Sequence, residues 1–410
     1  MKIFVNKVEK ENNVIKVYFD GDSEMRNFFI GDFVHISTYE TDVESVPDSI
    51  AVIPFIANIL PLIFVCKGEL YTDSIDYDFF NCVNKYLDAY KKSINYEIPL
   101  SGKLVARQLV KHKKIIVNKV CMLYSGGIDA TASLVRNLNI IDDCYAIWGA
   151  DVPFNNDYEW SLVYKNISEN VSKFGKNHFF IKTNIRNYIN EGKLDFLIHK
   201  IDFEGWWHGF QHGIALLGQL APLVYINGYK TIIIGSSFTK EYDPVCASNP
   251  RTDICFSVCG CKTVHDGFGL NRCEKVKLIN DWVILNNESL KLHVCWQSHT
   301  GQNCGLCEKC LRSYLNCLCS ASDHERLGIT TNLPLNKIKK QFYLQAGSNQ
   351  AIKNRIDVLY YGLCHYFVKI PSNFKWIEKI ANNFDLFLKK RKKILYFDKI
   401  KNCISSKFRK

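Results

Sequence analysis

The sequence predicts an α/β protein: a doubly wound, mostly parallel sheet, with a β-rich N-terminal unit and a C-terminal cysteine knuckle plus helices. Three observations carry this expectation. Residues 115–237 alternate apolar strand-like runs with helical ones, the pattern of a parallel sheet with crossover helices. Residues 1–45 hold short apolar runs separated by Asp-Gly turns. Four cysteines crowd into residues 295–310, and beyond about 330 the chain turns helical and basic. The expected divisions are 1–112, 113–320 and 321–410.

Composition narrows the class. Of 410 residues, 47% are apolar and 23% charged, as in a folded globular chain long enough for two or three domains. The net charge of +11 follows either from an Asn-, Lys- and Ile-rich composition with a basic tail or from an anionic partner: ATP, an acidic protein or nucleic acid. Nucleic acid is the weaker of these, because no dense arginine patch is present. The N-terminal Met1-Lys-Ile-Phe-Val-Asn-Lys charges too soon for a secretory h-region. Seventeen cysteines then fit a reducing, cytoplasmic location. Cys66, Cys82, Cys121, Cys144 and Cys364 read as small core residues. Residues 50–66 are almost wholly apolar but contain Pro54, Asn58 and Pro61. The run falls short of the ~20 residues of a membrane span, and buried strand and turn is the expectation.

Taken in order, residues 2–5, 14–19, 28–30 and 33–36 are the expected N-terminal strands, with turns at Asp20-Gly21-Asp22 and Gly31-Asp32. Residues 76–93 place Phe79, Phe80, Val83, Tyr86, Leu87 and Tyr90 at helical spacing. No chemical motif occurs before residue 112, so this part docks a partner or covers the domain that begins near 113. Next comes a strand with Ile115, Ile116, Val117, Val120, Met122 and Leu123, then the turn Ser125-Gly126-Gly127, then a helix from Ala130. Strands at 144–151, 178–184 and 231–237 alternate with helices at 158–174 and 208–225. Ligands of such sheets sit at the carboxyl ends of the strands. Ser125, Gly126, Gly127, Asp151, Asn184 and Ser236 should therefore share one rim. Residues 240–275 are polar and irregular, and a loop of that length is functional or a lid. The run Lys389-Lys-Arg-Lys-Lys393 reads as a solvated helix face, with anionic docking as the alternative.

A Ser-Gly-Gly turn between strand and helix is an anion site, because glycine lets the backbone approach a phosphate and free N–H groups point at it. No lysine follows the last glycine, which excludes a Walker loop. The Gly-x-Gly-x-x-Gly dinucleotide pattern is also absent. Ser125-Gly126-Gly127-Ile128-Asp129 instead resembles the PP-loop of ATP pyrophosphatases, an adenine nucleotide α-hydrolase-like fold with the pattern Ser-Gly-Gly-x-Asp-Ser. Ala130 replaces the last serine, so one hydroxyl is lost or Thr131 stands in for it. The resemblance implies that Tyr124, Ser125, Gly126, Gly127, Ile128, Asp129, Ala130 and Thr131 hold the pyrophosphate portion of ATP. Asp129 would act through Mg²⁺ or water, and Asp151, Asn184 and Ser236 would hold the rest of the nucleotide.

The second motif is Cys295-x8-Cys304-Gly-Leu-Cys307-Glu-Lys-Cys310. Four thiolates with no open position describe a structural Zn²⁺ site, with Lys309 and Arg312 offsetting its charge. An iron–sulfur cluster and reactive cysteines are the alternatives. Cys317 and Cys319 read as packing residues. Together, Ser125, Gly126, Gly127 and Asp129 followed by Cys295, Cys304, Gly305, Cys307, Cys310 and Arg312 resemble 7-cyano-7-deazaguanine synthases (QueC) over residues 115–320. That resemblance implies ATP-dependent adenylation of a 7-carboxy-7-deazaguanine-like acid and transfer to ammonia. The greater length looks more like QueC-like proteins of Qat and type IV CBASS antiphage systems, which implies transfer to a protein amine. The oligomeric state is open, a homodimer being one option.

Trp206 and Trp207 could stack on a purine-like ring or pack in the core. His208 and His212 read as substrate contacts or core histidines rather than a second metal site. His265 and Asp266 are further substrate candidates. Arg272 and Lys275 are the loop cations for charge developing at the α-phosphate. Two rivals stand beside the adenylating enzyme. A tRNA sulfur transferase would use Cys255, Cys259 or Cys261, and a non-catalytic module would only bind nucleotide and a protein.

Overall fold

The computed structural model describes residues 1–95, 97–112, 117–198, 205–344 and 347–407, and the side chains of 398–407 fall outside the description. Ile115 and Ile116 of the expected strand also lie outside it. The chain divides into two compact units. One comprises Met1–Ser125 and Asp129–Gly269, the other Gly126–Ile128 and Leu270–Lys410.

The first unit is α/β. Its strands are β1 (Lys2–Glu11), β2 (Val14–Gly21), β3 (Val34–Thr38), β4 (Glu69–Asp76), β5 (Lys103–Val110), β6 (Lys119–Leu123), β7 (Asp143–Trp148), β8 (Asn177–Thr183), β9 (Tyr229–Gly235), β10 (Ser257–Val258) and β11 (Cys261–Asp266). They form one mostly parallel sheet in the order β10-β11-β9-β6-β7-β8-β3-β2-β1-β4-β5. From β6 the chain steps to β7 and β8 in one direction, while β9 and β11 lie on the other side of β6. The topological switch point, where α/β sheets bind ligands, is thus between β6 and β9.

Helices α1 (Ser23–Arg26), α2 (Asp48–Ala51), α3 (Ile53–Val65), α4 (Tyr77–Ser93), α5 (Ile128–Arg136), α6 (Asp157–Lys173), α7 (Glu191–Leu197), α8 (His212–Gly218) and α9 (Ala221–Asn227) connect these strands. Residues 50–66 are helical, against the expectation of strand and turn. Pro54 sits in the first turn of α3 and Pro61 inside it, and Ile53 through Phe64 are all buried. A helix buried all round has no polar face, so its apolar run cannot be told from a core strand by period alone.

Residues 1–112, read from sequence as an appended unit, continue the same sheet. β3 pairs antiparallel with β8 through Ser37↔Thr183 and Thr38↔Lys182. Buried polar groups line this seam. The Ser37 hydroxyl donates to Gln219 at 2.7 Å, and His35 faces the Tyr188 hydroxyl at 3.0 Å. Asn58 of α3 donates to Tyr188 at 2.7 Å and to the Ile185 carbonyl at 2.9 Å, and accepts from Gln211 at 2.6 Å. Burial lowers the His35 pKa to about 3, so the ring joins this network uncharged.

The 240–275 segment is also more regular than its polarity suggests. β10 and β11 form a hairpin, and β11 runs parallel to β9. Residues 272–275 open a helix rather than a loop. The second unit holds α10 (Arg272–Leu285), α11 (Glu308–Cys319), α12 (Leu335–Leu344), α13 (Asn349–Tyr366), α14 (Lys375–Asn382) and α15 (Phe384–Lys407). Its own core gathers Leu311, Leu315, Phe342, Ile356, Leu363 and Ile377. Lys389, Lys390, Lys392 and Lys393 are exposed on α15, a solvated helix face. No helix of the described residues is long and apolar enough to cross a membrane.

Candidate functional site

The glycine turn follows β6 directly and opens α5. Gly126 has φ +75°, a left-handed conformation that side-chain-bearing residues adopt at a cost. Its carbonyl accepts from the His293 N–H at 2.9 Å within the second unit. Ser125 is exposed, Gly127 and Asp129 are half-buried, and Ile128 and Ala130 are buried. Thr131 is fully buried and its hydroxyl lies 3.1 Å from that of Tyr124. That pairing orients Thr131 into the fold, so the hydroxyl missing at Ala130 is not replaced from the next position.

Other rim candidates divide between binding and packing. Asp151 is exposed in the turn after β7. The Asn184 carboxamide accepts from Ile36 N–H at 2.8 Å and donates to the Val34 carbonyl at 3.0 Å. It therefore clamps β3 to β8. The Ser236 hydroxyl donates to the Phe238 carbonyl at 2.8 Å. Trp206 is 1% exposed and stacks on Phe210, which stacks on Tyr90. A ring buried at the end of such a stack is core. The open aromatic is Trp207, half-buried with the Arg186 guanidinium 4.8 Å from its ring centre.

Residues 207–211 form a π turn that runs into α8, a local widening that recurs at functional sites. It carries His208, whose ring meets Phe238 edge-on at 5.8 Å. His212 follows, edge-on to Trp207 at 5.3 Å. Burial lowers the His212 pKa; Asp151 and Asp253 oppose that shift, while His208 and Arg186 add to it. These groups therefore occupy one electrostatic neighbourhood of the first unit. His265 belongs to it too: its Nδ1 lies 2.7 Å from Asp253 Oδ2. Asp266, the next residue, pairs with Arg136 of α5 at 3.2 Å. The sequence reading missed Asp253, because its partner is reached only when β11 and the 253–255 turn fold together.

Cys255, Cys259 and Cys261 are all free thiols. Burial pushes Cys255 up to about 11 and Cys261 up to about 12, and raises Cys259 as well. Thiols held protonated are poor nucleophiles. Arg272 and Lys275 stand in the first turn of α10, in the second unit, and Lys275 is 2% exposed.

The cysteine motif closes on itself. The Sγ atoms of Cys295, Cys304, Cys307 and Cys310 lie within 4.8 Å of one another. Cys295 to Cys307 is 3.8 Å and Cys304 to Cys310 is 3.9 Å. A tetrahedron with ~2.3 Å metal–sulfur bonds has edges of about 3.8 Å, whereas a disulfide needs about 2.05 Å. The set can hold a metal ion such as zinc. Gly305 at φ +65° makes the knuckle, and a Cβ there would come within 2.8 Å of the Thr330 carbonyl. Backbone N–H groups point at sulfur: Cys307 to Cys304 at 3.2 Å, and Gln297 to Cys295 at 3.4 Å. Burial opposes ionisation of Cys295, yet hydrogen bonds from Cys304 and Gln297 outweigh it and bring the thiol down to about 7. Asn303 staples the loop, accepting from Val294 and Cys295 N–H and donating to the Leu292 and Gly328 carbonyls. Arg312 pairs with Glu308 at 3.0 Å. Cys317 and Cys319 are buried packing residues of α11.

Compared with protein-family models, curated proteins and solved structures, the chain matches none.

Proposed function

We propose that the protein adenylates a carboxylate with ATP, releases pyrophosphate and passes the acyl group to a nitrogen nucleophile. The observation that carries this reading is the Gly126 turn: left-handed, at the carboxyl end of β6, beside the switch point, opening a nine-residue helix. Backbone N–H groups in such a turn hold phosphate without a lysine. The carboxylate oxygen attacks the α-phosphate, and pyrophosphate leaves with the bonding pair. Asp129 is the turn's own carboxylate and would hold Mg²⁺, which offsets the charge of the phosphate oxygens. The acid in this reading is 7-carboxy-7-deazaguanine or a close relative, with Trp207 rather than Trp206 as the stacking surface. The acceptor is ammonia or a protein amine, in keeping with a role in bacterial antiphage defence. Zinc in the cysteine site would serve the fold, because four sulfurs leave no open position.

Purified protein with ATP, Mg²⁺ and 7-carboxy-7-deazaguanine is expected to form AMP and pyrophosphate, read by nucleotide chromatography. ADP with phosphate, or no nucleotide turnover with this acid, would overturn the reading.

A further inference from the structure

β11 ends in two residues that face opposite sides of the sheet, as neighbours in a strand must. Asp266 turns to α5, where Arg136 holds its carboxylate at 3.2 Å and 3.3 Å. His265 turns the other way. Its Nδ1 is 2.7 Å from Asp253 Oδ2, and the two side chains are 1% and 0% exposed. The Ser248 hydroxyl donates to the same carboxylate oxygen at 2.6 Å.

Asp253 is itself fixed. Its N–H donates to the Asn249 carbonyl at 3.0 Å, and the Thr252 hydroxyl beside it donates to Ala247 at 2.6 Å. Asp253 Oδ1 rests against Gly213 of α8, where any Cβ would sit 2.5 Å away. Two polar atoms of this pair, His265 Nε2 and Asp253 Oδ1, are buried without a partner among the described residues. A carboxylate on Nδ1 keeps the ring proton there and leaves Nε2 as a lone-pair acceptor. An acceptor held buried, oriented and unsatisfied awaits a donor.

The Asp253 carboxylate reaches beyond the pair. His212 of α8, Tyr86 and Tyr90 of α4, and Cys255 each feel the Asp253 charge. β9 alone lies between β11 and β6, so the His265 end of the sheet is two strand spacings, about 10 Å, from the β6 end. Phe268 lies 6.2 Å from the imidazole and its carbonyl accepts from Lys240 N–H at 3.3 Å. The imidazole is 1% exposed, so neighbouring groups must move aside to admit a substrate.

We propose that His265 is the general base of the acyl-transfer half-reaction, and that Asp253 is its positioning residue. This rests on the adenylation reading. The attacking nitrogen forms the C–N bond, and its proton goes to Nε2. The bond from the acyl carbon to the phosphate oxygen breaks, and AMP leaves with the electron pair. The chemistry resembles other base-assisted acyl transfers, in which a base is oriented by a third group.

The test separates the two half-reactions in the full chain with ATP, Mg²⁺ and 7-carboxy-7-deazaguanine. ATP–pyrophosphate exchange reads adenylation, and amide formation with ammonia reads transfer. His265→Gln is expected to keep exchange within about threefold and lose amide formation by about 100-fold or more. Hydroxylamine, which needs no base to attack an acyl-adenylate, should restore product. Asp253→Asn, a second variant of nearly identical shape, should show the same split more weakly, and melting curves check both folds. Amide formation kept within threefold in a folded His265→Gln overturns the base. Equal loss of exchange and transfer also overturns it, by moving His265 into adenylation. Wild-type protein that exchanges no pyrophosphate overturns the adenylation reading itself, and the base with it.

Discussion

Both units have apolar cores, but the second also contains a segment organised by sulfur. In the first, apolar residues such as Ile181, Ile232, Phe55 and Phe64 fill one continuous core across the sheet, and a buried polar seam joins β3 to β8. In the second, residues 286–307 contain no helix or strand. That segment is organised by four sulfurs, by Asn303 and by the Gly305 knuckle. Apolar burial is insensitive to metal and nearly so to pH, whereas a thiolate site depends on both. The contrast teaches that part of a chain can depend on a four-sulfur site while the rest rests on apolar burial, so loss of metal should strike the second unit and spare the core of the first.

Metal removal is the largest expected effect. Cys307→Ser, or a strong chelator, should abolish stoichiometric metal and cost on the order of 10 kcal/mol of metal-linked stability. Elemental analysis should give one zinc per chain in the native protein. Thermal melting should show the loss confined to one transition. A native protein without metal, or a coloured iron centre, would break the comparison on this side.

The seam is the next target. Asn58→Leu removes three buried hydrogen bonds at once, leaving Tyr188 with His35 alone and Gln211 with only the Ile185 carbonyl at 3.3 Å. A loss of about 2–4 kcal/mol follows from unsatisfied buried polar groups, measured by urea titration, with zinc content unchanged. A loss below about 0.5 kcal/mol would show that the seam contributes nothing beyond its apolar neighbours.

Asp76 supplies the pH test. Burial raises its carboxyl to about 6, against hydrogen bonds from Phe79 and Cys259. A carboxyl raised in the folded state adds stability that is fully present below its unfolded value near 3.8 and is lost as pH rises through about 6. Asp76 also caps α4 by accepting from Phe79 N–H at 2.9 Å, which asparagine can do equally well. Asp76→Asn should therefore match the parent near pH 4 and exceed it at pH 8 by up to about 3 kcal/mol. Parallel stability curves from pH 4 to 8 would contradict the raised value.

The smallest change in stability and the most selective change in function belong to Gly126. Gly126→Ala places a side chain at φ +75° and should cost about 1–2 kcal/mol. Zinc content should stay at one per chain while AMP formation falls by about tenfold or more, the loss of one well-placed phosphate contact.

Much of the fold was legible in the sequence. The strand–helix alternation from β6 to β9 foretold the mostly parallel α/β sheet, and cysteine spacing alone foretold the four-sulfur cluster. The features that escaped had identifiable physical causes. α3 is buried all round, so its residues carry no helical period. β11 hides in a polar segment because Lys262 and Val264 are exposed while Cys261 and Thr263 are buried; so short an alternation resembles a loop. Asn184 looked like a ligand because it ends a strand, but its carboxamide is engaged by β3, a neighbour far away in sequence. Trp206 and Trp207 cannot be ranked from sequence. Only the fold decides which ring is stacked in the core and which faces Arg186. The His265–Asp253 pair escaped because it depends on the same register of β11.

The central claim is that the Gly126 turn binds ATP for attack at the α-phosphate. It is tested most directly by tracking ATP in purified protein with Mg²⁺ and 7-carboxy-7-deazaguanine. AMP and pyrophosphate in equal amounts, lost in Gly126→Ala at unchanged zinc content, is the expected result. ADP as the product, or AMP formation indifferent to Gly126→Ala, would contradict it.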